Sequence, residues 1–345
     1  MSGAVGEFQT FPSRLVGERN ERLANAARAL HYHNAFLDDC IRVILPHDLI
    51  LLGAPSGMGK TDLALSIAAS NAMKGRRVHY FALEAEPREI ERRTKFAMVS
   101  ALAHEQRLPV ASRLNYTDWI RGECDQDVKE LEAAADQRVL STLGALWTYY
   151  RGSRFGADDL GRAIMGVHDR TDLIVIDHLH YVDNDENESE VRSLGDTVKT
   201  IRDISLRIGR PILLVAHLRK RDPRGRQIVA TLDDFHGSSN IAKICTQAIA
   251  IEAARGISAP KWYLAPTYMA VLKDRRAGAT GLVAVANFDR RTKSYRPEYT
   301  LGWPTKGGTE WEELKPVDVP GWARRHQSIK FAPPSKDPKE SLHEW

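Results

Sequence analysis

Gly53-Ala-Pro-Ser-Gly-Met-Gly-Lys-Thr61 stands directly after the apolar run Asp48-Leu-Ile-Leu-Leu52 and directly before Asp62-Leu-Ala-Leu-Ser-Ile-Ala-Ala69, which has the spacing of a buried helix. Strand, glycine-bearing loop and helix in this order make a cradle for nucleotide phosphates. Ser56, Gly57, Met58 and Gly59 form a turn whose backbone N–H groups face inward onto phosphate oxygens, and the helix from Lys60 presents its positive N-terminus to them. Lys60 is placed to reach the β- and γ-phosphates and Thr61 to hold Mg²⁺, so ATP and Mg²⁺ are the expected ligands. The strict pattern has glycine six residues before the lysine; this chain has Ala54 there.

Bulk properties bound the answer loosely. The 345 residues have room for one large α/β domain with appendages or for two smaller domains. With 49 basic against 45 acidic residues the net charge is +4, so affinity for nucleic acid must come from local patches. Cys40, Cys124 and Cys245 are far apart and lack a pairing or metal-binding spacing, which argues for a reducing compartment. The stretch Met1–Phe8 lacks a basic start and an apolar segment, and no run approaches a membrane span. A soluble, cytoplasmic protein is expected.

Composition divides the chain into three regions. Residues 1–46 read as an extension in which Arg14 to Leu30 carries Leu15, Val16, Leu23, Ala26, Ala27 and Leu30 at helical spacing. One thin apolar stripe of this kind must dock, either on its own domain or on a neighbouring subunit. Residues 47–297 alternate helical stretches with the runs Leu49–Leu52, Val78–Leu83, Leu146–Tyr150, Leu173–Ile176, Ile212–Ala216, Ala248–Ile251, Met269–Leu272 and Leu282–Phe288. Near-continuous apolar strands between helices predict an α/β fold with a mostly parallel sheet buried on both faces. Residues 298–345 are rich in Pro, Lys, Glu and Trp and read as a flexible tail, with local docking through Trp303, Trp311, Trp322 or Trp345.

Two carboxylates complete the chemistry within the central region. Asp172-Leu-Ile-Val-Ile-Asp177 closes a buried strand on an acid, where a P-loop ATPase orients the water shell of Mg²⁺. The run from Val78 ends in Glu84, which can polarise the water that attacks the γ-phosphate.

The order of these elements resembles the RecA-type motor domain of the hexameric, DnaB-like replicative helicases and the related phage and mitochondrial primase-helicases. Phe36 to Gly53 looks like the family's approach to its first strand, and Ala54 is tolerated there. Leu83-Glu84 resembles the stretch that carries the family's catalytic glutamate, Asn115 to Gly122 its middle helical region and Asp172 to Tyr181 its Walker B stretch. Pro211 to His217 falls where the family has a strand ending in a γ-phosphate sensor, usually Gln, so the resemblance assigns that role to His217. It implies a RecA-like P-loop fold, with a mostly parallel twisted sheet flanked by helices and a late antiparallel strand pair.

The late segment Leu272-Lys273-Asp-Arg275-Arg276-Ala-Gly278-Ala-Thr280-Gly281 resembles the family's Lys-x-Arg and following turn, which project into the nucleotide site of the next subunit. Lys273 and Arg275 would there neutralise charge on the γ-phosphate as a finger supplied in trans. This implies a homo-oligomer, six-fold by resemblance, with Arg14 to Leu30 as a candidate strap. For single-stranded DNA, Arg219, Lys220, Arg221, Arg224 and Arg226 form a basic loop, and Gly237, Ser238, Ser239 and Lys243 match the start of the family's channel loop. Against them, Asp183 to Glu190 holds five carboxylates in a stretch that either faces outward or weakens channel binding.

These residues point to an ATP-hydrolysing DNA helicase or translocase of a plasmid, phage or other mobile element. Only about 46 residues precede the motor, too few for a collar or a primase, so a compact helicase is expected; separately, the C-terminal tail is a candidate recruitment segment for a loader, primase or other replication partner. The alternative is a RecA-like ATPase that does not unwind DNA, either a recombinase-like filament or a switch or assembly factor.

Overall fold

The computed structural model describes residues 8, 10–152, 154–183, 190–219, 227–235, 239–276 and 280–323, with the backbone alone at 190, 191, 239 and 240. Ten strands form one sheet: β1 (Leu49–Ala54), β2 (Val78–Ala82), β3 (Leu146–Tyr150), β4 (Leu173–Asp177), β5 (Ile212–His217), β6 (Gln247–Ala253), β7 (Leu264–Asp274), β8 (Val283–Asp289), β9 (Ser294–Thr305) and β10 (Glu310–Glu313). Their order is β10-β9-β8-β7-β6-β1-β5-β4-β2-β3. The strands from β6 to β3 run parallel, and β7 to β10 add an antiparallel meander. The expected late pair is thus a four-stranded extension.

All eight predicted runs are strands. The reason is visible at β1, β2 and β4, where every residue is buried. Helices cover both faces, so both side-chain sets of each strand lose contact with water. Fully burying one Leu or Ile contributes about 1.5–3 kcal/mol. One face packs Ile50, Leu52, Tyr80, Val175 and Leu213 against α4 (Lys60–Met73); the other packs Leu49, Leu51, Phe81, Ile174 and Leu214.

The extension proves shorter and its helix interrupted. Helix α1 (Phe11–Leu15) is capped by Thr10 and ends at extended Val16, and α2 (Glu18–Ala27) begins after Gly17, whose φ of 86° is left-handed. Leu30 is not helical: it bridges Ile44. Residues 30–46, placed outside the motor by composition, belong to its core. Tyr32, Phe36, Leu37 and Ile44 are fully buried around α3 (Ala35–Cys40), and the Tyr32 hydroxyl donates to Gln247 on β6. Leu15, Val16 and Leu23 remain exposed.

The boundary after residue 297 also needs correction, because it falls inside β9. β9 pairs with β8 from Ser294 to Gly302 and with β10 beyond it. Trp322 packs on the main core and Trp311 donates its indole N–H to Val283 O at 3.3 Å, whereas Trp303 is exposed and Trp345 lies outside the described residues.

Four further helices lie between β2 and β4: α5 (Glu89–Glu105), α6 (Tyr116–Ile120), α7 (Gln126–Thr142) and α8 (Ala157–Met165). They are followed along the chain by α9 (Glu190–Ile208) and α10 (Ser239–Ile244). α5, α6 and α7 share a small core around Phe96, Val99, Leu114 and Leu131. Among the described residues no helix is long and apolar enough to cross a membrane, and the three cysteines are free thiols.

Candidate functional site

Four neighbouring strands end at one place. Register sets Ala54 of β1 beside His217 of β5, and Asp177 of β4 beside Ala82 of β2, so their carboxyl ends form one rim. Such a rim, where helices depart to either side, is the usual ligand crevice of an open α/β sheet.

The cradle occupies the end of β1. Gly57 and Gly59 have φ of 81° and 73°, conformations that L side chains rarely adopt. A Cβ at Gly59 would also lie 2.5 Å from Phe288 of β8, and the Tyr295 hydroxyl of β9 donates to the Met58 carbonyl. Two residues more than 200 positions downstream therefore press on the loop from the antiparallel extension. Ser56 and Gly57 are exposed, Met58 and Thr61 half-buried, and Lys60 buried. Burial lowers the Lys60 ammonium, opposed by the charges of Glu84, Asp177 and Asp62.

Asp177 lies beneath the cradle, buried. Its carboxylate accepts from Tyr80 OH at 2.7 Å on one oxygen and from Thr61 Oγ1 at 3.4 Å on the other. Burial raises this carboxyl to about 6, although the Tyr80 and Thr61 hydrogen bonds and the Lys60 charge all act to lower it. The donor set fits Mg²⁺: a hydroxyl and a carboxylate, both hard oxygen ligands, meet at a helix N-terminus.

Glu84 is held beside them by backbone. Leu83 N–H donates to Asp177 O at 2.6 Å, which ties the end of β2 to the end of β4. Arg93 pairs with Asp62 at 2.6 Å and with Glu89 at 2.8 Å, linking the first turn of α4 to α5 and framing the loop that carries Glu84. The Glu84 side chain is exposed and accepts from Tyr181 OH at 3.5 Å. His217 is half-buried at the end of β5, its ring 3.9 Å from that of fully buried His178. Burial pushes the His178 imidazole far down, assisted by His217, Lys60 and His180.

The structure thus brings together Lys60, Thr61, Glu84, Asp177 and His217. Lys273 and Arg275 it places elsewhere. Lys273 Nζ donates to Ala242 O at 2.9 Å and Lys243 O at 2.6 Å, at the end of α10, and Arg275 Nη2 reaches Lys243 O at 3.5 Å. Arg275 N–H bonds Thr246 O, and Thr246 N–H bonds Leu49 O, so Arg275 is level with the start of β1. Ala54 is then five residues away, roughly 16 Å along the strand.

Of the residues assigned to DNA, Arg219 is exposed just past β5 and Lys243 is exposed on α10. Lys220, Arg221, Arg224, Arg226, Gly237 and Ser238 lie outside the described residues, as do 184–189 of the acidic stretch and Gly278; Ser239 is described in its backbone alone, as the first residue of α10. Sequence reasoning missed Tyr80, His178, Tyr181, Phe288 and Tyr295. The pattern Asp177-His-Leu-His180 was a visible signal for His178. The others become partners only through tertiary packing, Tyr80 from β2, Tyr181 from the turn after β4, and Phe288 and Tyr295 from β8 and β9.

Residues 30–296 match the family described as DnaB-like helicase C terminal domain. A DNA helicase/primase of Enterobacteria phage T3 is 27% identical over 148 residues, which are 41% of this chain and 25% of the phage protein. The chain therefore spans about a quarter of the length of that curated relative. Among solved structures, one described as an ATPase domain superposes with a TM-score of 0.66 at 13% identity, covering 84% of this chain and 99% of that one. A DnaB-like replicative helicase, described with its interactions with primase, gives 0.65 at 13% identity, over 85% and 68% of the two chains.

Proposed function

The chain belongs to the DnaB-like helicase C-terminal domain family, and from that premise we propose that it is an ATP-hydrolysing motor that works as a homo-oligomeric ring on single-stranded DNA. The observation that carries the reading is the division of cations between the two ends of the sheet. Lys60 stands at the cradle, whereas Lys273 and Arg275 stand at the opposite end, level with Leu49. A side chain cannot span that distance within one chain, so these cations serve a cradle only across a subunit boundary.

In the proposed reaction the cradle N–H groups and Lys60 hold the ATP phosphates. Thr61 and Asp177 would hold Mg²⁺, which when bound draws negative charge off the phosphate oxygens. Glu84 orients the attacking water and takes its proton, and its exposure leaves room for that water. His217 sits at the rim to respond to the γ-phosphate. Arg275 and Lys273 of an adjacent copy neutralise the charge that grows on the transferring group. Arg219 and Lys243, with the basic residues 220–226, supply phosphate contacts to DNA. Whether a loader or primase binds residues 324–345 is tested by truncation after Ala323.

The test is the ATPase rate with and without single-stranded DNA at low and moderate salt, since phosphate contacts weaken steeply as salt rises. Stimulation that fades with salt is expected. Hydrolysis that ignores DNA at every salt concentration would replace the motor with a switch or assembly ATPase, and persistent hydrolysis by Lys60→Ala would remove the nucleotide site itself.

A further inference from the structure

Beside the cradle is a second donor set that the proposed hydrolysis does not require. One ligand atom each from Glu84, His178 and His217 lie within 4.8 Å of one another. They come from three strand ends: Glu84 follows β2, His178 follows β4 and His217 closes β5. Two imidazoles and a carboxylate suit a borderline transition metal far better than Mg²⁺, which takes oxygen ligands. His178 adds an independent sign. It is 0% exposed, and its Nε2 is buried without a hydrogen-bond partner, whereas most buried polar atoms have one.

We propose that Glu84, His178 and His217 form a site for a divalent transition-metal ion of the zinc class, distinct from the Mg²⁺ position at Thr61 and Asp177, and that its occupation arrests ATP hydrolysis. Tetrahedral binding at 2.0–2.1 Å requires ligand atoms about 3.4 Å apart. The donors must therefore draw in from the present separation. Glu84 is exposed and His217 half-buried, while His178 is buried and acts as the fixed ligand. Three protein ligands leave a fourth position for water. The arrest follows from ligand identity: a Glu84 carboxylate bound to metal no longer accepts a proton from the attacking water. This consequence rests on the hydrolytic reading of Glu84, but the metal site itself does not.

The test uses the full chain without nucleotide, titrated with Co²⁺ and followed by visible absorption, with Zn²⁺ as competitor and excess Mg²⁺ present throughout. The expected result is saturation at one Co²⁺ per chain with tetrahedral d–d bands that Zn²⁺ erases. His217→Gln should weaken that binding at least tenfold with its melting temperature retained, and Glu84→Gln should do the same, which keeps the test independent of His178, whose replacement risks the fold. Absence of saturable Co²⁺ binding, or binding equal in both variants and the parent, overturns the site. Stoichiometric Zn²⁺ should halt hydrolysis by the parent. Zn²⁺-insensitive hydrolysis despite Co²⁺ binding overturns the arrest. A chain that binds Co²⁺ but never hydrolyses ATP keeps the site and instead removes the motor reading.

Discussion

Asp177 illustrates how the site is built residue by residue. Its carboxyl has two neutral donors, Tyr80 and Thr61, and one cation, Lys60, yet burial still leaves it raised to about 6. Removing a donor from such a group costs about 1.5–3 kcal/mol. Tyr80→Phe is therefore expected to raise the Mg²⁺ concentration for half-maximal hydrolysis about tenfold, read from ATPase rate against Mg²⁺; an unchanged curve would detach Tyr80 from the metal ligand. Glu84→Gln should lower kcat by about 10²–10⁴ while fluorescent-nucleotide binding persists. Gly59→Ala meets both a left-handed φ and Phe288 at 2.5 Å, so nucleotide binding should be lost with a lower melting temperature; retention of both would refute the packing of β8 on the cradle. Lys60, Thr61, Glu84 and Asp177 were legible because each stands beside a strand run that announces itself. Tyr80, Phe288 and Tyr295 were not, since an aromatic residue in a strand reads as core until pairing shows which loop it touches.

At the scale of elements, strands buried on both faces were readable from apolar content, and β9 was not. Its sequence Ser294-Tyr-Arg-Pro-Glu-Tyr-Thr-Leu-Gly-Trp-Pro-Thr305 mixes charge, proline and aromatics, because it lies near the sheet edge with much of its length partly exposed. Pairing to β8 specifies it, and that partner is not encoded locally. Truncation after Gly302 removes the end of β9 and all of β10, so aggregation is expected by light scattering, whereas truncation after Ala323 should leave a monodisperse ATPase. Monodisperse behaviour of the shorter form would contradict the meander. At the start of β4, burial tends to raise the Asp172 carboxyl, but the hydrogen bonds and charge of Arg77 outweigh it and hold the group below its usual range. A carboxyl depressed in the folded state stabilises it above the unfolded pKa and loses that effect as pH falls through the folded one. The melting-temperature gap between the parent and Asp172→Asn should accordingly be full at neutral pH and close in acid below the ordinary aspartate range.

For the whole molecule, the central claim is that one chain holds only part of a hydrolytic site. Register places Lys273 and Arg275 at the far end of the sheet from Lys60, and the finger reading therefore requires a head-to-tail arrangement of copies, in a ring or a filament. The most direct measurement mixes two inactive variants, Lys60→Ala and Arg275→Ala, in equal amounts under conditions that allow subunits to exchange. Random assembly leaves about a quarter of the interfaces with an intact Lys60 facing an intact Arg275, so hydrolysis should rise well above that of either variant alone. A mixture no more active than the two variants measured separately would contradict the shared site.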